Sequence, residues 1–159
     1  MAILDKGFRE HKLRYVLQCG LATVSVLVVL LILYGMSNAA VIAALGASSF
    51  IAFTMPQAQV SRPRFLIGGY VVGAAAGTLC HYLNAGIPWQ TDVIFGALAV
   101  GLAIFGMVIT DTEHPPAAGL ALGLVLGECN YLVLLVVLLG IASLCLIKLL
   151  LGPALKNLL

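Results

Sequence analysis

The chemistry-bearing residues of this chain concentrate in Thr110-Asp111-Thr112-Glu113-His114-Pro115-Pro116, a polar stretch between two apolar runs. It brings together two carboxylates, an imidazole and two hydroxyls, and the proline pair stops whatever helix precedes it. Proline suits the first turn of a helix, where backbone donors are unpaired anyway, so a helix is expected to begin at about Pro115 with His114 or Glu113 near its N-cap. Amides from Ala117 onward would then point back toward His114 with the positive end of the helix dipole, which suits a small anion. The competing reading is a bent connection in which His114 only caps the helix or bonds to backbone. Asp111 and Glu113 would repel an anion unless protonated or paired. Three uses are open to them: a salt bridge to Arg62 or Arg64, a proton relay with His114, or a place on a surface loop.

A second polar element is Gly46-Ala47-Ser48-Ser49, followed by Phe50 and Thr54-Met55-Pro56. Glycine and small hydroxyl residues within an apolar run permit local unwinding, which would offer Ser48 and Ser49 as donors to a small polar ligand. Serines in such a setting also bond back to the preceding turn of their own helix. The segment Ser61-Arg62-Pro63-Arg64 puts two arginines together, either as a mouth that attracts anions or as topological anchors. There is no H-E-x-x-H, no G-x-S-x-G and no phosphate loop of the required spacing, and His11 and His81 lack partners at metal-ligand spacing. The expectation is a protein that is not an enzyme and uses no metal or cofactor.

The elements that must hold these residues are apolar. Of 159 residues, 62% are hydrophobic and 9% charged, with a mean hydropathy of +1.14. A soluble domain has about a quarter of its residues charged, so this is read as an integral membrane protein whose surroundings are the lipid bilayer. A net charge of +2 with basic residues at segment ends excludes nucleic acid as a partner. Cys19, Cys80, Cys129 and Cys145 read as small packing residues. The run Val16 to Tyr34 exceeds the about 7–15 residues of a signal-peptide core and is read as a retained helix. Residues 1–14 suit an amphipathic interfacial segment, with Ile3, Leu4, Phe8 and Leu13 toward lipid.

Apolar runs at about 13–35, 39–55, 64–83, 93–110, 115–127 and 131–151 predict an all-α fold of six helices, two of them short or broken, in a single domain over 1–159. A bilayer core of about 30 Å takes about 20 helical residues, so the second and fifth runs are short for a span. Charge favours six spans over four with two re-entrant loops. With the N-terminus inside, Lys6, Arg9, Lys12, Arg14, Arg62, Arg64, Lys148 and Lys156 all fall on the cytoplasmic side with both termini, and the loops near 35–38, 84–91 and 128–130 hold no Lys or Arg. Each half then reads long, short, long, which suggests two inverted three-helix repeats. Asp92 and Glu128 are expected at the outer surface, and Trp89 as an interfacial anchor. Gly69, Gly73 and Gly77, and likewise Gly119, Gly123 and Gly127, recur every fourth residue and let another backbone approach. A permeation path or a homo-oligomer contact would use the same strips.

The ordered set Gly46-Ala47-Ser48, Pro56, Pro63-Arg64, Gly68-Gly69 and His114-Pro115-Pro116-Ala117-Ala118-Gly119 resembles the HPP family of integral membrane proteins, over nearly all of the chain beyond its first dozen residues. Arg62 stands where that pattern has a polar residue, adding a positive charge. The resemblance implies a transporter or channel for a small monovalent inorganic anion, nitrite above all, in a bacterial-type inner (plasma) membrane. On this expectation His114, Ser48 and Ser49 bind the anion between a broken second helix and the start of the fifth. The rivals are a proton-linked or cation transporter using Asp111, Glu113 and His114, and a membrane scaffold that transports nothing.

Overall fold

The computed structural model describes residues 9–32, 39–87 and 91–158. Among these the chain forms six α-helices: α1 (Lys12–Ile32), α2 (Ala39–Thr54), α3 (Pro63–Ala85), α4 (Asp92–Thr110), α5 (Pro115–Leu126) and α6 (Tyr131–Leu151). Short 3₁₀ turns cover Gln59–Ser61 and Gly152–Ala154. The expected boundaries hold to within two residues wherever they fall on described residues, because the stop and start signals are local. Pro63 and Pro115 each open a helix, and the Asn130 side chain caps α6 by accepting from the Val133 amide at 3.0 Å. Asp111 ends α4 with φ 52° and ψ 54°, a left-handed cap that Asp adopts more readily than most residues. Ile3, Leu4, Phe8 and Trp89 lie outside the described residues. Leu13 is exposed, as expected of a lipid-facing position.

Helix ends show the directions. The C-terminal end of α2 meets both the start of α1 and the chain's tail: Gln18 donates to the Phe53 carbonyl at 2.5 Å, and the Leu158 amide to the Thr54 carbonyl at 2.8 Å. Arg64, at the start of α3, reaches the Thr110 carbonyl at the end of α4 at 3.0 Å. At the far end Asn84 donates to Asp92 at 2.6 Å, Cys129 lies beside Thr78, and Gly123 lies against Ala40. Each helix therefore runs opposite to the one before it. Every described Lys and Arg lies toward one end, while Asp92 and Glu128 are exposed at the other.

Four helices, α1, α3, α4 and α6, are long and apolar enough to cross a membrane. The other two, of 16 and 12 residues, reach only about 24 and 18 Å at 1.5 Å per residue. They are short because the connectors at the basic end fold inward to meet them. One correction concerns α2, which is unbroken through Gly46–Ser49. The Ser49 hydroxyl bonds back to the Gly46 carbonyl at 2.7 Å and Ser48 Oγ lies within reach of the Ala44 carbonyl at 3.0 Å, so the helix holds its serines without unwinding.

The core is built around α3 and α5. Gly69, Gly73 and Gly77 bring α3 onto His114, Ala117 and Ala121, and a Cβ at Gly77 would sit 2.8 Å from the Ala121 carbonyl oxygen. In lipid, apolar burial alone drives no association, so such backbone proximity supplies the packing energy. The strip on α5 divides. Gly123 packs on α2, whereas Gly119 is exposed with open space around it, so the expectation that it packs is corrected.

Candidate functional site

His114 is the N-cap of α5 and is completely buried. Its Nδ1 lies 3.1 Å from the Val60 carbonyl and its Nε2 2.8 Å from Ser48 Oγ. A carbonyl only accepts, so Nδ1 carries a proton. In the neutral ring Nε2 then accepts from Ser48, and the Tyr70 hydroxyl, 2.8 Å from Ser48 Oγ, donates to it. The order is Tyr70 to Ser48 to His114 to the Val60 carbonyl. If the ring takes a second proton, Nε2 donates to Ser48 Oγ and the serine proton turns to the Ala44 carbonyl at 3.0 Å. Either state leaves both ring nitrogens paired. Tyr70 stands seven residues after Pro63, which places the chain of polar groups about 10 Å below the start of α3.

The amides expected to receive an anion are not free. Two of the first donors of α5 are replaced by proline, the Ala117 amide bonds to the His114 carbonyl at 2.9 Å, and the His114 amide points at Met107 Sδ at 3.5 Å. A helix that opens Pro-Pro has spent the donors that make an anion nest. Ser49 also parts from Ser48. Successive helical residues are about 100° apart, and Ser49 turns to an apolar cavity of about 530 Å³ between α1 and α2, with Gln18, Cys19, Phe50 and Phe53.

The acids are placed elsewhere too. Asp111 pairs with Arg64 at 3.1 Å, both side chains more than half exposed, a pair worth about 0–1 kcal/mol. Glu113 is half-buried on the turn, and the imidazole beside it is bonded to Ser48 and Val60. For Asp111 the salt bridge to Arg64 is formed, and on an exposed turn, as the surface-loop reading also expects. Arg62 is exposed at the same end.

Ser25, which bonds back to the Leu21 carbonyl, and four further buried polar residues escaped the sequence reading. Tyr70 is fully buried, Lys148 is 7% exposed, Ser61 is fully buried, and Gln18 ties α1 to the tail through the Phe53 and Lys156 carbonyls. Lys148 Nζ donates to the Ser61 carbonyl at 2.9 Å, and the Ser61 hydroxyl has no partner among the described residues. For Tyr70 and Gln18 the available signal was a polar side chain inside a span, where it needs a partner; Lys148, in the last turn of α6, and Ser61, in a connector, carried no such signal. Among the described residues no group of three His, Cys, Asp or Glu side chains is placed to hold a metal ion.

These features gain meaning from comparison with other proteins. Two transmembrane proteins of Dictyostelium discoideum are similar. One is 40% identical over 80 residues, covering 48% of this chain and 24% of the relative. The other is 34% identical over 90 residues, covering 54% and 30%. The aligned regions thus span less than a third of either relative. No solved structure matches. The profile of the HPP transmembrane region matches residues 9–157, which takes in all six helices and the His114-Pro115-Pro116 turn, and the chain belongs to the HPP family of integral membrane proteins.

Proposed function

We propose that this protein carries a small monovalent anion, nitrite in the first instance, across the membrane. The observation that carries the reading is the Tyr70, Ser48 and His114 chain: uncharged hydrogen-bonding groups set inside an apolar bundle, about 10 Å below its basic end. Arg62 and Arg64 at that end raise the local concentration of anions. The ring and hydroxyls of His114, Ser48 and Tyr70 donate to the anion once the helices part, and the paired arrangement is the closed state. Rocking of α1 to α3 against α4 to α6, as between inverted repeats, supplies the opening. Ser49, on the other face of α2, takes no part. A membrane scaffold is the second reading, favoured by the completeness with which His114 is paired inside the protein.

Flux decides between them. Proteoliposomes containing the purified chain are expected to take up nitrite faster than protein-free vesicles, with chloride and a divalent cation as controls. Absence of flux for every anion tried leaves the scaffold, and uptake of the cation alone moves the assignment to the cation reading.

We also place both termini in the cytoplasm of a bacterial-type inner membrane, because the basic end obeys the positive-inside rule only in that orientation. Arg62→Cys, at an exposed position, is then expected to react with a membrane-impermeant thiol reagent in inverted vesicles and not in intact cells. Reaction in intact cells reverses the orientation.

A further inference from the structure

Among the described residues no carboxylate lies within ion-pair distance of Lys148. This lysine projects from the last turn of α6 into the bundle, 7% exposed, and its bond is to a neutral carbonyl, that of Ser61, at 2.9 Å. Among the described residues the one ion pair is Arg64 with Asp111, on the exterior; Glu10 and Glu113, toward the basic end, form none, and Asp92 and Glu128 lie at the opposite end of the bundle. The titratable side chains that bear on Lys148 are the Cys145 thiol, three residues back on α6, and Arg62, which has the same sign. An ammonium has three donors, and burying it unpaired is costly enough that buried charges are ordinarily paired or bound to an ion.

The second observation is independent. Ser61 is completely buried and its hydroxyl has no hydrogen-bond partner among the described residues, although buried hydroxyls are nearly always satisfied. It belongs to the residue whose carbonyl receives Lys148, so an unmet hydroxyl donor and an ammonium with donors to spare adjoin one 3₁₀ turn, Gln59–Ser61. The hydroxyl lacks an acceptor, the ammonium has donors beyond its one bond, and the cation lacks a negative charge close by. One group meets all three: a small anion with at least one acceptor atom.

We propose that Lys148 Nζ and Ser61 Oγ form a binding position for a small monovalent anion at the basic end of the bundle, next to the Val60 carbonyl that holds His114. The position deepens the transport reading and rests on it for the anion's destination, whereas binding itself is measured without flux. Because Val60 and Ser61 are consecutive, an anion at Lys148 bears on the backbone that fixes the His114 ring.

The test uses the full chain in detergent, titrated with sodium nitrite at fixed ionic strength, with gluconate as ballast. A ligand that binds the folded state raises the melting temperature in a saturable way. The parent is expected to show that rise. Lys148→Met keeps the side-chain length and removes the buried charge, and is expected to abolish it. Ser61→Ala removes a hydroxyl that bonds to nothing, so it should melt like the parent without nitrite and shift the nitrite midpoint about tenfold higher. Absence of a saturable rise in the parent with nitrite, nitrate or chloride overturns the proposal, since water then fills the position. A rise that survives Lys148→Met overturns it as well, as does an unshifted midpoint in Ser61→Ala. Lys148-dependent binding without flux supports the position and removes the transport reading; flux without such binding does the reverse.

Discussion

Gly73→Leu is expected to yield no folded protein in detergent, while Gly119→Leu is recovered and melts like the parent. A Cβ at Gly73 would overlap the Ala117 carbonyl oxygen, a backbone atom that cannot turn aside. Overpacking of side chains in a close-packed core costs about 1–3 kcal/mol, and forcing two helix backbones apart removes the contact that holds α3 to α5 altogether. Gly119 has nothing within 4 Å of the corresponding position, and replacing a helical glycine there gains about 0.5–1 kcal/mol of propensity. Size-exclusion profiles and melting curves of the two variants make the comparison. Gly73→Leu protein that is monodisperse and melts with the parent would show that α3 and α5 do not meet as described.

His114→Ala is expected to abolish nitrite uptake and to lower stability as well. The imidazole is fully buried and bonded at both nitrogens, so its removal leaves a cavity together with an unpaired Val60 carbonyl and a Ser48 hydroxyl short of one partner. Those losses together amount to about 2–5 kcal/mol. Uptake therefore has to be expressed per molecule of folded, inserted protein, measured by size-exclusion before reconstitution and by protease protection after it. Ser48→Ala, which leaves the imidazole and its bond to Val60 in place, is the milder companion, with uptake reduced rather than lost. Full uptake by properly inserted His114→Ala protein removes the histidine from the mechanism.

The helices were legible because their signals are local. Pro63, Pro115 and Asn130 mark starts by what they lack or cap, and the apolar runs between them need no partner to be recognised. His114 as N-cap follows from the same reasoning. The donor count at α5 is also in the sequence: Pro115 and Pro116 remove two amides and the turn takes the next, which argues against a backbone nest before any fold is known. What the sequence withholds is rotation. Ser48 and Ser49 are neighbours of one chemistry, and only the placement of α3 and α5 sends the first to His114 and leaves the second to the cavity beside α1. Tyr70, Lys148 and Ser61 are hidden for a related reason. Their partners lie 22 and 87 positions away along the chain, and a lysine near a helix end reads as an anchor until its side chain is seen to turn inward.

The connector between α2 and α3 has a further consequence, for synthesis. Its carbonyls at Val60 and Ser61 are met by side chains that lie 54 and 87 positions downstream. Helices enter the bilayer singly or in pairs and associate afterwards, so α1 to α3 reach the membrane with this turn still exposed to water at the cytoplasmic margin, in the orientation proposed above. His114 closes the first carbonyl when α5 arrives, and Lys148 closes the second only when α6 is nearly complete. The basic residue of the final helix thus acts as the clasp of the hairpin between α2 and α3. A chain that ends before residue 148 lacks the side chain that closes the Ser61 carbonyl and keeps an open, arginine-bearing loop.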